Sequence, residues 1–69
     1  MKKLMYLEIA AEMVRHGETQ QSLAELLEIS DASVRNKLYG KTEWTISEID
    51  KLCQHYNKNY YELFKKEND

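Results

Sequence analysis

Between Ser22 and Lys41 the chain reads SLAELLEISDASVRNKLYGK, two apolar patterns of helical period separated by only Glu28, Ile29 and Ser30. In the first pattern Leu23, Leu26 and Leu27 fall on one side of a helix, with the small Ala24 between them allowing close backbone approach. In the second, the Ser30 hydroxyl can accept from the exposed amide of Ala32 or Ser33, while Ile29 and Val34 stand at the two positions of a hydrophobic staple. Helices joined by so short a turn cross steeply instead of lying antiparallel, so the second projects from the body and the first braces it. The junction therefore predicts a helix-turn-helix over about residues 20–41.

Helical signals continue on both sides. Met5, Ile9 and Met13 recur every four residues beside Tyr6 and Ala10, predicting a first helix from about Lys3 to His16 that Gly17 stops. Thr19 caps a second helix, Gln20 to about Leu27, and Ser30 caps a third, Asp31 to about Tyr39, ended by Gly40. Thr45 and Glu48 have capping-box spacing, and Trp44 and Ile49 have staple spacing. These predict a fourth helix from about Ile46 to Tyr56, with Ile49, Leu52 and Cys53 inward and most of the Trp44 ring buried. Asn59 and Glu62 repeat the box ahead of a short fifth helix carrying Tyr60, Leu63 and Phe64, after which residues 65–69 are expected to fray.

A chain of 69 residues offers one small all-α domain, expected to span 1–69, and no room for a second. With 42% hydrophobic residues, 32% charged residues and no proline, it suits a soluble helical protein and argues against disorder. Glu8, Glu12 and Glu25 interrupt the apolar clusters, so no membrane span and no secretory pattern is expected, and the location expected is cytoplasmic. Cys53, the single cysteine, excludes an internal disulfide and reads as core filler. The net charge of −2 looks wrong for a nucleic-acid binder, but Arg35, Lys37 and Lys41 against Asp31 make residues 31–41 locally basic. An acidic remainder weakens non-specific attraction to phosphate, so DNA binding is expected to be modest and salt-sensitive.

TQQSLAELLEIS followed by SVRNKLYGK resembles the phage repressor and Cro type of helix-turn-helix regulator. Gln20 opens the bracing helix, Leu23 and Ala24 lie inside it, Ile29 and Ser30 form the turn, Val34 lies in the second helix, and Gly40 and Lys41 close it. TISEIDKLCQHYNKNYYELF is similar to the family's fourth and fifth helices, so the likeness runs from about Gly17 to Phe64 and loosely takes in the first helix. It implies a five-helix, lambda-repressor-like DNA-binding domain that regulates transcription from a double-stranded operator.

In that family the second motif helix enters the major groove while the N-terminus of the bracing helix meets the backbone. Carried over, the resemblance makes Asp31, Ala32, Arg35, Asn36 and Tyr39 the base-reading set, which at 100° per residue spans an arc of about 140°. Arg35 suits guanine O6 and N7, Asn36 suits adenine, and the Ala32 methyl suits a thymine methyl. The phosphate-binding set would be Gln20, Lys37, the Gly40 amide and Lys41. Plainer roles stand beside these. Arg35 and Lys37 can be a solvated helix face, Asp31 can favour the positive end of its own helix, and Lys41 can neutralise a helix C-terminus. Tyr39, Tyr56, Tyr60 and Tyr61 fit core edges and helix ends better than a stacking platform, and His16 and His55 read as helix-end and surface residues.

Three positions depart from the family pattern. Glu28 stands where glycine is common, which costs about 1–2 kcal/mol if its backbone is left-handed. Lys37 stands where many relatives are apolar, so Leu38 is expected to take the inward contact while Lys37 snorkels along its stem. The first helix also lacks an arginine often offered to phosphate, leaving Lys2, Lys3 and Arg15.

An enzyme is not expected. Cys53 and His55 point about 200° apart on a helix and cannot form a nucleophile–base pair. Two histidines and one cysteine make no metal site, no glycine-rich phosphate loop is present, and neither a cofactor nor a small-molecule substrate is expected. The competing reading is a protein-binding module of the same fold, an antirepressor or modulator that occludes a partner repressor. A homodimer reading successive grooves is also implied, through the fourth and fifth helices or the loop from Lys41 to Trp44.

Overall fold

A computed structural model describes residues 4–66 as five α-helices with no strand among them. They are α1 (Leu7–Arg15), α2 (Gln20–Leu27), α3 (Asp31–Leu38), α4 (Ile46–Tyr56) and α5 (Tyr60–Leu63). The expected ends of α2 and α4 coincide with those found, and Tyr39 is the C-cap of α3. Lys65 and Lys66 are exposed and follow the last helix; the rest of the expected frayed tail, and Lys2 and Lys3, lie outside the described residues.

Short side chains at the helix starts satisfy amides that have no intrahelical acceptor. Thr19, Ser30, Thr45 and Asn59 accept from the amides of Ser22, Ser33, Glu48 and Glu62. Thr45–Glu48 and Asn59–Glu62 close reciprocal boxes, and Thr19–Ser22 closes a third that the sequence reading did not anticipate. The α1 start differs from expectation, at Leu7 instead of Lys3. The Met5 and Tyr6 amides donate to the Leu38 carbonyl at 2.9 and 3.3 Å, so the segment ahead of Leu7 is held against the end of α3.

After α1, α2, α3 and α4 the chain turns through a left-handed residue: Gly17, Glu28, Gly40 and Asn57. In each case that residue and its successor donate back to the last helical turn, as in Glu18 N–H to Met13 O at 2.8 Å and Lys41 N–H to Asn36 O at 2.8 Å. Glu28, at φ 61° and ψ 43°, accepts the strain anticipated for it. Gly40 has a further reason to be glycine, because a Cβ there would lie 3.0–3.2 Å from the Met5 side chain.

The core takes residues from every element: Ile9 and Met13, Leu23, Ala24 and Leu27, Val34 and Leu38, Leu52 and Tyr56, and Leu63. Tyr6, Trp44 and Phe64 pack edge to face at 5.6–6.1 Å at one end of it. Trp44 is buried as expected, and Ile49 and Cys53 lie half-buried against the core. Of the tyrosines read as packing residues, Tyr56 is in the core and Tyr39 is half-buried. Tyr60 stacks on Phe64 with its outer half exposed, and Tyr61 is 84% exposed, so the packing role does not hold for it.

Candidate nucleic-acid interface

The orientation of α3 follows from its three buried residues, Val34, Lys37 and Leu38. At 100° per residue they cover an arc of about 100°; Ala32, Arg35, Asn36 and Tyr39 lie on the other side, and Asp31 falls at the border beside Leu38. Asp31, Ala32 and Arg35 are exposed, and Asn36 and Tyr39 are half-buried. Ala32, Arg35, Asn36 and Tyr39 therefore share the outward face, with Asp31 exposed at its border. Asp31 occupies the first turn of α3 behind the Ser30 cap, where its charge also favours the helix.

Gln20 is exposed at the first position of α2. A side chain or phosphate there meets first-turn amides without intrahelical acceptors. No acidic residue occupies that first turn, whereas α1, α3, α4 and α5 carry Glu8, Asp31, Glu48 and Glu62 in theirs.

Two members of the expected phosphate-binding set need correction. Lys37 is buried, with its Nζ 2.9 Å from Glu48 Oε1, donating to the Glu43 carbonyl at 2.8 Å and 5.9 Å from the Trp44 ring centroid. Its ammonium turns inward and is not offered to phosphate, while Leu38 takes the inward apolar contact anticipated for it. The Gly40 amide donates to the Lys37 carbonyl at 3.1 Å, so it is committed to ending the helix. Lys41 keeps an exposed side chain, although its amide closes the same turn on Asn36.

Ion pairing sorts the remaining cations. Arg15 is held by Glu8 and Glu12, Lys51 lies 3.6 Å from Glu28, and Lys58 lies within 4 Å of Glu8 and Glu12. Arg35 and Lys41 make no ion pair among the described residues, so between Leu4 and Phe64 the uncommitted cations are one on the outward face of α3 and one just past its end. Arg15, expected as a basic residue near the first helix, is neutralised by its neighbours.

Two ties escaped sequence reasoning. One is Lys37–Glu48, for which a signal existed: Lys37 falls on the same side of α3 as Val34 and Leu38. Burial pushes the Glu48 carboxyl up, but the Thr45 amide and the Lys37 ammonium more than reverse this and hold it below the usual carboxylate range. The other joins Glu18, ahead of α2, to the end of α4. Tyr56 donates to Glu18 Oε1 at 2.6 Å and His55 Nε2 meets Glu18 Oε2. Here too burial raises the carboxyl while Tyr56 and His55 bring it below the ordinary value, and burial beside Glu18 drives the Tyr56 phenol strongly up. His16 is the C-cap of α1, the helix-end place expected for it, and lies between Glu12 and the His55 and Tyr56 rings; His55 is exposed, as expected, while also meeting Glu18.

No helix among the described residues is long and apolar enough to cross a membrane, and none of their His, Cys, Asp and Glu side chains group in threes to hold a metal ion. Comparison with curated proteins and with solved structures gave no match. A family model for the Cro/C1-type HTH DNA-binding domain matches residues 8–69. That span holds both motif helices, the turn between them and the trailing helices, and the chain belongs to the Cro/C1-type helix-turn-helix family of DNA-binding domains.

Proposed function

We propose that this protein is a sequence-specific transcriptional regulator of the phage or prophage Cro/repressor kind, acting in the cytoplasm on a double-stranded DNA operator. The observation that carries this reading is the outward Arg35 on α3, which makes no ion pair among the described residues, in a chain of the Cro/C1-type family. In this reading α3 enters the major groove, Arg35 donates to guanine O6 and N7, Asn36 pairs with adenine, and Ala32 and Tyr39 make flanking contacts. Asp31 borders the set, either accepting from a cytosine amino group or serving its own helix. Phosphates meet the α2 N-terminus at Gln20 and the Lys41 side chain.

With Lys37 withdrawn, each copy offers few phosphate contacts, so two copies on half-sites about 34 Å apart are the natural arrangement. Exposed Ile46, Tyr60 and Tyr61 lie on the fourth and fifth helices that would carry such a pairing. The test is selection of bound sequences from random duplexes, run beside a sizing measurement of protein alone and on the selected site. An enriched motif containing a guanine that Arg35 reads is the expected result, and no enrichment at low salt would overturn it.

Withdrawal of Lys37 also favours a second reading. The exposed charge on and just past α3 falls to Arg35 and Lys41 against Asp31, in a chain of net charge −2. A module that covers a partner repressor needs no larger basic surface. Under this reading Arg35, Asn36 and Tyr39 contact protein, and no duplex complex forms at low salt while Arg35 is intact.

A further inference from the structure

Among the described residues, Lys37–Glu48 is the only ion pair in which neither side chain is more than 11% exposed, and it links the last turn of α3 to the first turn of α4. Such a pair adds little stability, because removing both charges from water offsets their attraction and an apolar pair of similar volume serves as well. Its effect is better sought in geometry. The apolar contacts of α3 with the core come from Val34 and Leu38, one helical turn apart on nearly one line. Apolar packing is non-directional, and at its C-terminal end α3 is also held by the Met5 and Tyr6 amides on the Leu38 carbonyl.

Lys37 lies about 100° around the helix from Leu38, off that line. Its ammonium is fixed from three sides by Glu48 Oε1, the Glu43 carbonyl and the Trp44 ring. Glu48 is itself fixed, since the same Oε1 accepts from the Thr45 amide at 2.9 Å and its own amide donates to the Thr45 hydroxyl at 3.1 Å. An off-axis contact with a rigid anchor defines rotation, and Arg35 and Asn36 ride on the same helix immediately before Lys37.

We propose that Lys37 and Glu48 are specificity-determining positioning residues: the pair sets the rotation of α3 about the Val34–Leu38 line and so decides which base edges Arg35 and Asn36 reach. This rests on the DNA-reading role proposed above. The test is the double variant Lys37→Met/Glu48→Gln, which removes the ionic link but keeps an oxygen for the Thr45 cap. Binding to the selected duplex and to a scrambled duplex is measured across salt, and residual dipolar couplings report the direction of the α3 amides in the free protein.

The ratio of the two affinities is expected to fall by roughly tenfold, about the discrimination of one bidentate base contact. The scrambled-duplex affinity and salt slope are expected to stay unchanged, and the α3 couplings to shift relative to α1. An unchanged ratio with unmoved couplings overturns the proposal. So does equal weakening on both duplexes with a salt slope flatter by about one unit, which would make Lys37 a phosphate contact. If the wild-type protein shows no discrimination, the DNA-reading role falls, and the couplings alone then decide whether the pair orients α3. Should the double variant not fold, Lys37→Arg, which keeps the charge but changes its geometry, is read by the same two measurements.

Discussion

The Tyr56 hydroxyl donates to Glu18 Oε1 at 2.6 Å, tying the end of α4 to the residue just ahead of the Thr19 cap, 38 positions earlier. The phenol ring is buried and its acceptor carries a charge, which places this bond among the stronger kind. Tyr56→Phe is expected to lower stability by about 1.5–3 kcal/mol, a fall of roughly 6 °C or more in Tm for a domain of this size. Thermal unfolding followed by circular dichroism measures it.

Glu18 and Glu48 both have folded carboxyl pKa values below the ordinary 4.5. Each therefore contributes stability that is fully present above the unfolded pKa and is lost as pH falls through the folded one. Urea midpoints are expected to be steady at mildly acidic pH and to drop below about pH 4.5. Glu18→Gln and Glu48→Gln are expected to lower the plateau and flatten the acid limb, each removing part of its slope.

Glu28 and Gly40 make opposite predictions. Glu28→Gly relieves a left-handed non-glycine, a gain of about 1–2 kcal/mol against about 0.5–1 kcal/mol of added unfolded-state entropy, for a net rise in the urea midpoint. The Glu28–Lys51 pair is exposed at 3.6 Å and its loss matters little. Gly40→Ala meets both an unfavourable φ of +81° and the Met5 side chain at 3.0–3.2 Å, so it is expected to destabilise more than Gly17→Ala, which has φ +65° and open space.

Lys41→Ala is expected to weaken binding to every duplex alike and to flatten the salt slope by about one unit, because a side chain on phosphate carries no base information. Affinities on selected and scrambled duplexes over a salt series check this.

Much of this architecture is written in short-range signals. Thr19, Ser30, Thr45 and Asn59 start α2 to α5, the left-handed Gly17, Glu28, Gly40 and Asn57 follow the ends of α1 to α4, and both halves of each cap lie within three or four positions. The outward set on α3 was legible for the same reason, since Val34 and Leu38 fix which side faces in. What was not legible depends on contacts between distant positions. The late start of α1 comes from Met5 and Tyr6 bonding to Leu38, and the Glu18–Tyr56 tie joins two turns that nothing local links. Lys37 was misassigned because a lysine on a recognition helix suggests phosphate, whereas the oxygen that claims it belongs to the capping box of the next helix.

The central claim is that the outward face of α3 reads bases, and Arg35→Ala on the selected duplex tests it most directly. Arg35 is exposed, so the variant is expected to unfold at the wild-type temperature. Affinity for the selected duplex is expected to fall by about 1–3 kcal/mol, with discrimination lost at the guanine position and scrambled-duplex binding weakened much less. Equal loss on both duplexes, or no loss on either, would contradict it.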